Sequence, residues 1–246
     1  MISQENIEKL AHRFQTGAFP NIVREYFQHL FLSELYKLPE SEKLLFKGGT
    51  ALRIIYGSPR FSEDLDFSLA SVPPREIKLF TESLFVKILA AIENFGIRVE
   101  LGKRFGATSG GYLGLATFHT SDYPPTGVEI NVSARNGREI RAEIDSIAGD
   151  FLPPYTVVHL SQKELVEEKI FGALLERKKP RDFYDLYFLM RKGMLSPEQK
   201  KRLSDVKGEI MKNAKSLNFR GELGVFLPAD QQAIVRDFCA ILESEI

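Results

Sequence analysis

The chain has a single cysteine in 246 residues, so an internal disulfide is excluded. That residue, Cys239, falls in an apolar helical pattern with Val235, Phe238 and Leu242, which predicts a buried structural thiol. Surplus charge is also lacking. The 33 basic and 33 acidic side chains cancel, with a pI near 6.9, so any nucleic-acid partner must be met by a local basic patch rather than by whole-molecule attraction. No apolar run approaches the roughly 18 residues needed to span a bilayer, and Ser3-Gln4-Glu5-Asn6 begins the chain without an apolar signal region. These absences predict a cytoplasmic protein with no membrane partner. There is no evident repeat or low-complexity segment, and 43% hydrophobic with 27% charged residues excludes the disordered and fibrous classes.

What is present is an alternation of periods. Ile7, Leu10, Ala11 and Phe14, then Ile22, Val23, Tyr26, Phe27 and Leu30, recur at helical spacing on either side of a break at Gly17 to Pro20, which predicts two helices. Leu44-Leu45-Phe46 reads as a buried strand, Thr50 to Tyr56 as a short helix and Asp64 to Leu69 as a second strand. Pro73 and Pro74 open a helix that ends near Asn94 and Gly96. The period then becomes two through Ile97, Val99 and Leu101. A glycine-rich connection from Gly106 to Gly111 follows, and the apolar alternation resumes at Leu113 and Leu115. Val128, Ile130 and Val132 predict a further strand, and Glu143 to Ile147 a shorter one. From Ser161 the chain reads as helical to its end, opening on the capping-box pattern Ser161-Gln162-Lys163-Glu164. The expectation is an α+β chain: a mixed, mostly antiparallel sheet flanked by helices, then a helical C-terminal half, with a boundary near residue 155.

Chemistry concentrates in two places. In the first, Lys47-Gly48-Gly49-Thr50-Ala51-Leu52 sets two glycines between a strand and a helix start, where backbone amides can approach a phosphate. The bland alternative is a tight turn needing positive φ. Shortly after, Arg60-Phe61-Ser62-Glu63-Asp64-Leu65-Asp66-Phe67 carries two carboxylates that would share one strand face. At about 4 Å and an effective dielectric near 20, two such charges repel by roughly 4 kcal/mol. They must therefore stay apart in solvent, share a proton or bind a cation, and Mg²⁺ suits them best. Glu129, with Asn131 on its face, is the leading third acid, either as a metal ligand or as a base toward an attacking hydroxyl; it could also be a plain exposed strand residue.

The second place is Glu168-Lys169 with Arg181-Asp182-Phe183-Tyr184-Asp185-Leu186. Lys169 falls in the inward row of its helix and needs an anion, and Asp182 or Asp185 on the next helix could supply one, as a structural pair or beside a substrate. Lys200, Lys201, Arg202, Lys207, Lys212 and Lys215, or Arg135, Arg138 and Arg141, could meet RNA phosphate, although a solvated face is the default reading of both.

These two motifs, in this order, resemble the AbiEii/AbiGii toxin nucleotidyltransferases, within the superfamily typified by DNA polymerase beta. The resemblance implies a nucleotidyltransferase fold with an added helical bundle: residues 1–155 as the nucleotidyltransferase domain with N-terminal helices, and residues 156–246 as a helical domain packed against the active site. It implies Asp64 and Asp66 as metal ligands, Gly48, Gly49 and Thr50 around the triphosphate, and Lys169 with Asp182 or Asp185 near the nucleotide. Many relatives carry serine where this chain has Gly49, so that contact would be lost or taken over by Thr50. Glu129 rests on the strand argument alone. The resemblance further implies an NTP substrate, a tRNA 3′ end as acceptor and a cognate antitoxin. Two rival readings fit the same residues: a kinase-like phosphotransferase acting on a protein partner, and a catalytically silent nucleotide- or partner-binding protein.

Overall fold

The structure, a computed structural model, describes residues 2–102, 106–108, 110–134 and 140–246. Two compact units divide the chain, one of residues Met1–Tyr56 and Phe61–Leu160, the other of Gly57–Arg60 and Ser161–Ile246.

In the first unit, helices α1 (Gln4–Arg13), α2 (Val23–Leu35), α3 (Gly48–Ile54) and α4 (Ile77–Glu93) accompany strands β1 (Leu44–Lys47), β2 (Leu65–Leu69), β3 (Arg98–Leu101), β4 (Gly106–Thr108), β5 (Gly111–His119), β6 (Thr126–Ala134), β7 (Ala142–Ile147) and β8 (Tyr155–Leu160). The sheet runs β3-β5-β6-β2-β1-β8-β7, with β4 paired to β5. Among the described residues, β1 with β8 and β2 with β6 pair parallel and the other pairs are antiparallel, so the sheet is mixed and mostly antiparallel, as expected.

One face of the sheet is covered by α2 and α4. Phe27 stacks on Phe118 at 4.5 Å, while Phe85 meets Phe31 and Tyr112 edge-on. The phase of β5 is opposite to the one its leucines suggest. Tyr112, Gly114, Ala116 and Phe118 are buried, whereas Leu113 is half-buried and Leu115 exposed. Pairing to β6 sets this phase: Tyr112 registers with Val132 and Ala116 with Val128, which leaves Leu115 beside Glu129 on the other face. The stretch from Gly106 also holds β4, and β8 occupies a place next to β1 where no strand was expected.

Every residue of α2 except Arg24 is buried, so its polar side chains must find partners inside. Glu25 takes Arg53 Nε on both oxygens at 2.9 Å, Gln28 donates to the Ser62 carbonyl at 3.0 Å, and His29 Nδ1 meets the Tyr155 hydroxyl at 2.7 Å. Burial, reinforced by the nearby Arg53 charge, lowers the His29 pKa from 6.5 to about 3. The folded protein therefore resists a proton that the unfolded chain accepts, so this contribution is complete above pH 6.5 and is lost as pH falls toward 3, at about 1.4 kcal/mol per pH unit. Between pH 7.5 and 5 the His29 share is about 2 kcal/mol. Urea denaturation should show the wild-type loss over that interval exceeding that of His29→Gln by this amount; equal pH dependence would remove His29 from the account.

The second unit is helical: α5 (Gln162–Glu167), a π-helical turn (Glu168–Leu174), α6 (Leu175–Arg177), α7 (Pro180–Arg191), α8 (Pro197–Ala214), α9 (Phe219–Leu223) and α10 (Phe238–Glu245). Ser161 caps α5 by accepting from the Glu164 N–H, and Ser196 with Gln199 forms a reciprocal box at the start of α8. Phe183, Phe219, Phe238 and Tyr184 pack together in its core. Cys239 is half-buried rather than fully buried, and desolvation raises its pKa.

Candidate functional site

β1 ends at Lys47, and the chain turns at Gly48 directly into α3. Gly48 has φ +87°, and a Cβ there would overlap Asp66 Oδ2. Glycine is required twice over, by the left-handed backbone and by the carboxylate pressed against it. The antiparallel register puts Lys47 opposite Asp66, which is why the glycine turn and the second carboxylate meet. Lys47 makes no side-chain cap bond to α3, and a helix start presents N–H groups and partial positive charge.

Thr50 is buried, and its hydroxyl donates to the Asp64 carbonyl at 2.5 Å. Its proton thus ties the first turn of α3 to the residue before β2 instead of pointing to a phosphate. The loop into Asp64 is held from α2 and α3: Gln28 binds the Ser62 carbonyl, Arg24 pairs with Glu63 at 3.1 Å, and the Arg53 guanidinium lies 3.6 Å from the Phe61 ring centroid.

Asp64 immediately precedes β2, and Glu129 immediately precedes Ile130, which registers with Leu65. The next pair on the same face is Asp66 with Asn131, whose Nδ2 donates to Asp66 Oδ1 at 3.3 Å. Glu129 is exposed. Among the described residues, no group of three or more His, Cys, Asp or Glu side chains gathers closely enough to hold a metal ion.

The other set of predicted residues lies in the helical unit. Lys169, on the π-helical turn, reaches Asp185 Oδ2 at 2.7 Å, and Arg60 binds the same carboxylate through Nε at 3.0 Å and Nη2 at 2.8 and 3.1 Å. All three are buried. Burial pushes Asp185 up, but the Arg60 and Lys169 charges outweigh it and hold the carboxyl below its ordinary value. Asp182 serves its own helix, accepting the Lys179 N–H at 3.3 Å and Arg177 Nη2 at 2.6 Å. Sequence reading missed Arg60 as the second partner of Asp185 and the bond from Asn131 to Asp66. The first lay inside a motif with no role attached. The second was signalled only by its sharing a face with Glu129.

Gly57 offers a control for the turn, because it has φ +77° with open space where a Cβ would sit. Gly48→Ala and Gly57→Ala should each cost about 1–2 kcal/mol of stability from the left-handed backbone. Only Gly48→Ala should also displace Asp66, so it should lose more stability than Gly57→Ala. Thermal melts of the two variants check both arms.

The fold matches solved structures of one class. A proposed nucleotidyltransferase from H. pylori aligns with a TM-score of 0.61 at 20% identity, over 92% of this chain and 96% of its own. JHP933 from Helicobacter pylori aligns with a TM-score of 0.59 at 19% identity, over 100% and 94%. At these identities the likeness establishes a nucleotidyltransferase fold. The family model for the nucleotidyl transferase AbiEii toxin of type IV TA systems matches residues 30–237, a span holding both motifs, and the chain belongs to that family. No curated protein matches it.

Proposed function

We propose that the protein is an Mg²⁺-dependent nucleotidyltransferase that moves a nucleotide from an NTP to an RNA hydroxyl, at a tRNA 3′ end, as the toxin of a toxin-antitoxin pair. The carrying observation is the glycine turn packed against Asp66: one spot joins a left-handed glycine backbone at a helix start to a carboxylate. The donors suit the ion, since Mg²⁺ takes one or two carboxylates with phosphate oxygens and water. Asp64 and Asp66 would hold it. When bound, it neutralises triphosphate charge.

In this reading the acceptor oxygen bonds to the α-phosphorus as the bond to the bridging oxygen breaks, and pyrophosphate leaves. Gly48 and Gly49 amides receive phosphate oxygens, while Thr50 braces the turn. Glu129, exposed and outside any acid cluster, accepts the proton of the attacking hydroxyl. Lys169 supplies positive charge to the nucleotide, with Asp185 fixing its ammonium and Asp182 shaping the start of α7.

Charge distribution supports an anionic acceptor. The helical unit has 17 basic and 14 acidic side chains, the sheet unit 16 and 19. On α8, Arg202 turns to Glu167 and Phe171, and Lys207 to the Glu243 carbonyl, whereas Lys200, Lys201, Lys212 and Lys215 are exposed. Lys201, Ser204, Gly208, Lys212 and Lys215 fall on one face of the helix, about 17 Å separating Lys201 from Lys212, a run suited to phosphates. Arg141 is exposed, while Arg135 and Arg138 lie outside the described residues.

The type IV designation of the family supports a cognate antitoxin. The proposed site of action is the cytoplasm; no helix among the described residues is long and apolar enough to cross a membrane. Incubation with each α-labelled NTP, Mg²⁺ and total RNA should give labelled RNA. An absence of product with all four NTPs, or equal labelling by Asp64→Ala, overturns the proposal.

A further inference from the structure

We propose that Asn131 is the positioning residue of the metal-binding carboxylate, and that its amide makes this a two-carboxylate centre; the inference rests on the nucleotidyltransferase reading above. The parallel pairing of β2 with β6 sets Asn131 directly beside Asp66 on one sheet face. Side chains at such a pair are neighbours, so whatever stands at position 131 touches the Asp66 carboxylate. An acid there would bring a third negative charge into contact with Asp66. The amide brings a donor instead, and its Nδ2 lies 3.3 Å from Oδ1.

The other oxygen is fixed independently. Oδ2 lies against the Gly48 backbone, in the space a Cβ would fill. One oxygen is therefore oriented by a hydrogen bond from β6 and the other by contact with the glycine turn, which defines the plane of the carboxylate and the lone pairs it can offer a cation. Glu129, two residues earlier, shares the face but is exposed, and no three-acid group forms among the described residues. The position next to Asp66 is thus filled by a neutral group that orients a ligand without becoming one. Second partners of this kind typically change metal affinity 10–100-fold when removed.

Direct binding of Mn²⁺ to the full-length protein, followed by the electron paramagnetic resonance signal of the free ion, tests this without relying on turnover. Asn131→Ala should weaken Mn²⁺ binding about tenfold. Asn131→Asp should tighten it, because a third carboxylate then stands beside Asp66 and can join the ion. Circular dichroism verifies the fold of each variant, and Asn131→Ser replaces alanine if the latter does not fold. Affinity of Asn131→Ala or Asn131→Ser within twofold of wild type, while Asp66→Asn loses binding, overturns the role of Asn131 and leaves the site standing. An Asn131→Asp affinity identical to wild type also overturns it. Wild type that binds Mn²⁺ no better than Asp66→Asn overturns the metal site itself, and this inference with it.

Discussion

Asp66→Asn is expected to lower nucleotide transfer about a thousandfold while leaving the fold intact, a loss of about 4 kcal/mol of transition-state stabilisation. The substitution keeps shape and volume, and the new side chain can still present an oxygen to the Asn131 amide, which now donates to Oδ1. What disappears is negative charge at the point where the glycine turn and the sheet meet. A preorganised charge in such a site acts mainly on the transition state, so kcat should fall far more than KM for the NTP rises. Melting within about 3 °C of wild type would confirm that chemistry, not folding, was removed. A variant that retains a tenth of wild-type activity would place the essential carboxylate elsewhere.

The second large effect concerns stability. Asp185→Ala should destabilise the protein by about 3–5 kcal/mol, because it leaves the buried Arg60 and Lys169 charges facing each other without their shared anion. Burial of all three side chains makes the arrangement costly to break although not inherently stabilising. The triple change Arg60→Met, Lys169→Met and Asp185→Leu should recover most of the loss, since apolar groups of similar volume have no desolvation penalty. Urea midpoints for wild type, single and triple variants decide the matter. A single variant within 1 kcal/mol of wild type would mean that water reaches the cluster.

The success and failure of sequence reading follow from which side chains carry visible patterns. β1, α3 and β2 were legible because glycines interrupt an apolar strand and Asp-x-Asp alternates with Leu65 and Phe67, both fully buried. The inward position of Lys169 followed from helical spacing, and its aspartate lies one helix away, as expected. The phase of β5 was misread because its inward row includes Gly114 and Ala116, which look neutral, while its outward row shows Leu113 and Leu115. β8 was missed because Tyr155 to Leu160 follows two prolines and runs into the helical half, so its apolar run resembled a linker rather than a strand beside β1. The Asn131 contact depends on pairing between residues 65 positions apart, which no local period reveals.

The most direct test of the central claim is to follow both ends of the triphosphate at once, with one NTP preparation labelled at the α-phosphate and another at the γ-phosphate, in the presence of Mg²⁺ and RNA. Transfer of the α-label to RNA with one pyrophosphate released per nucleotide added, and no γ-label in any macromolecule, is the predicted result. Stable γ-label on RNA or protein, with the α-label left in nucleoside diphosphate, would contradict it and make the protein a kinase.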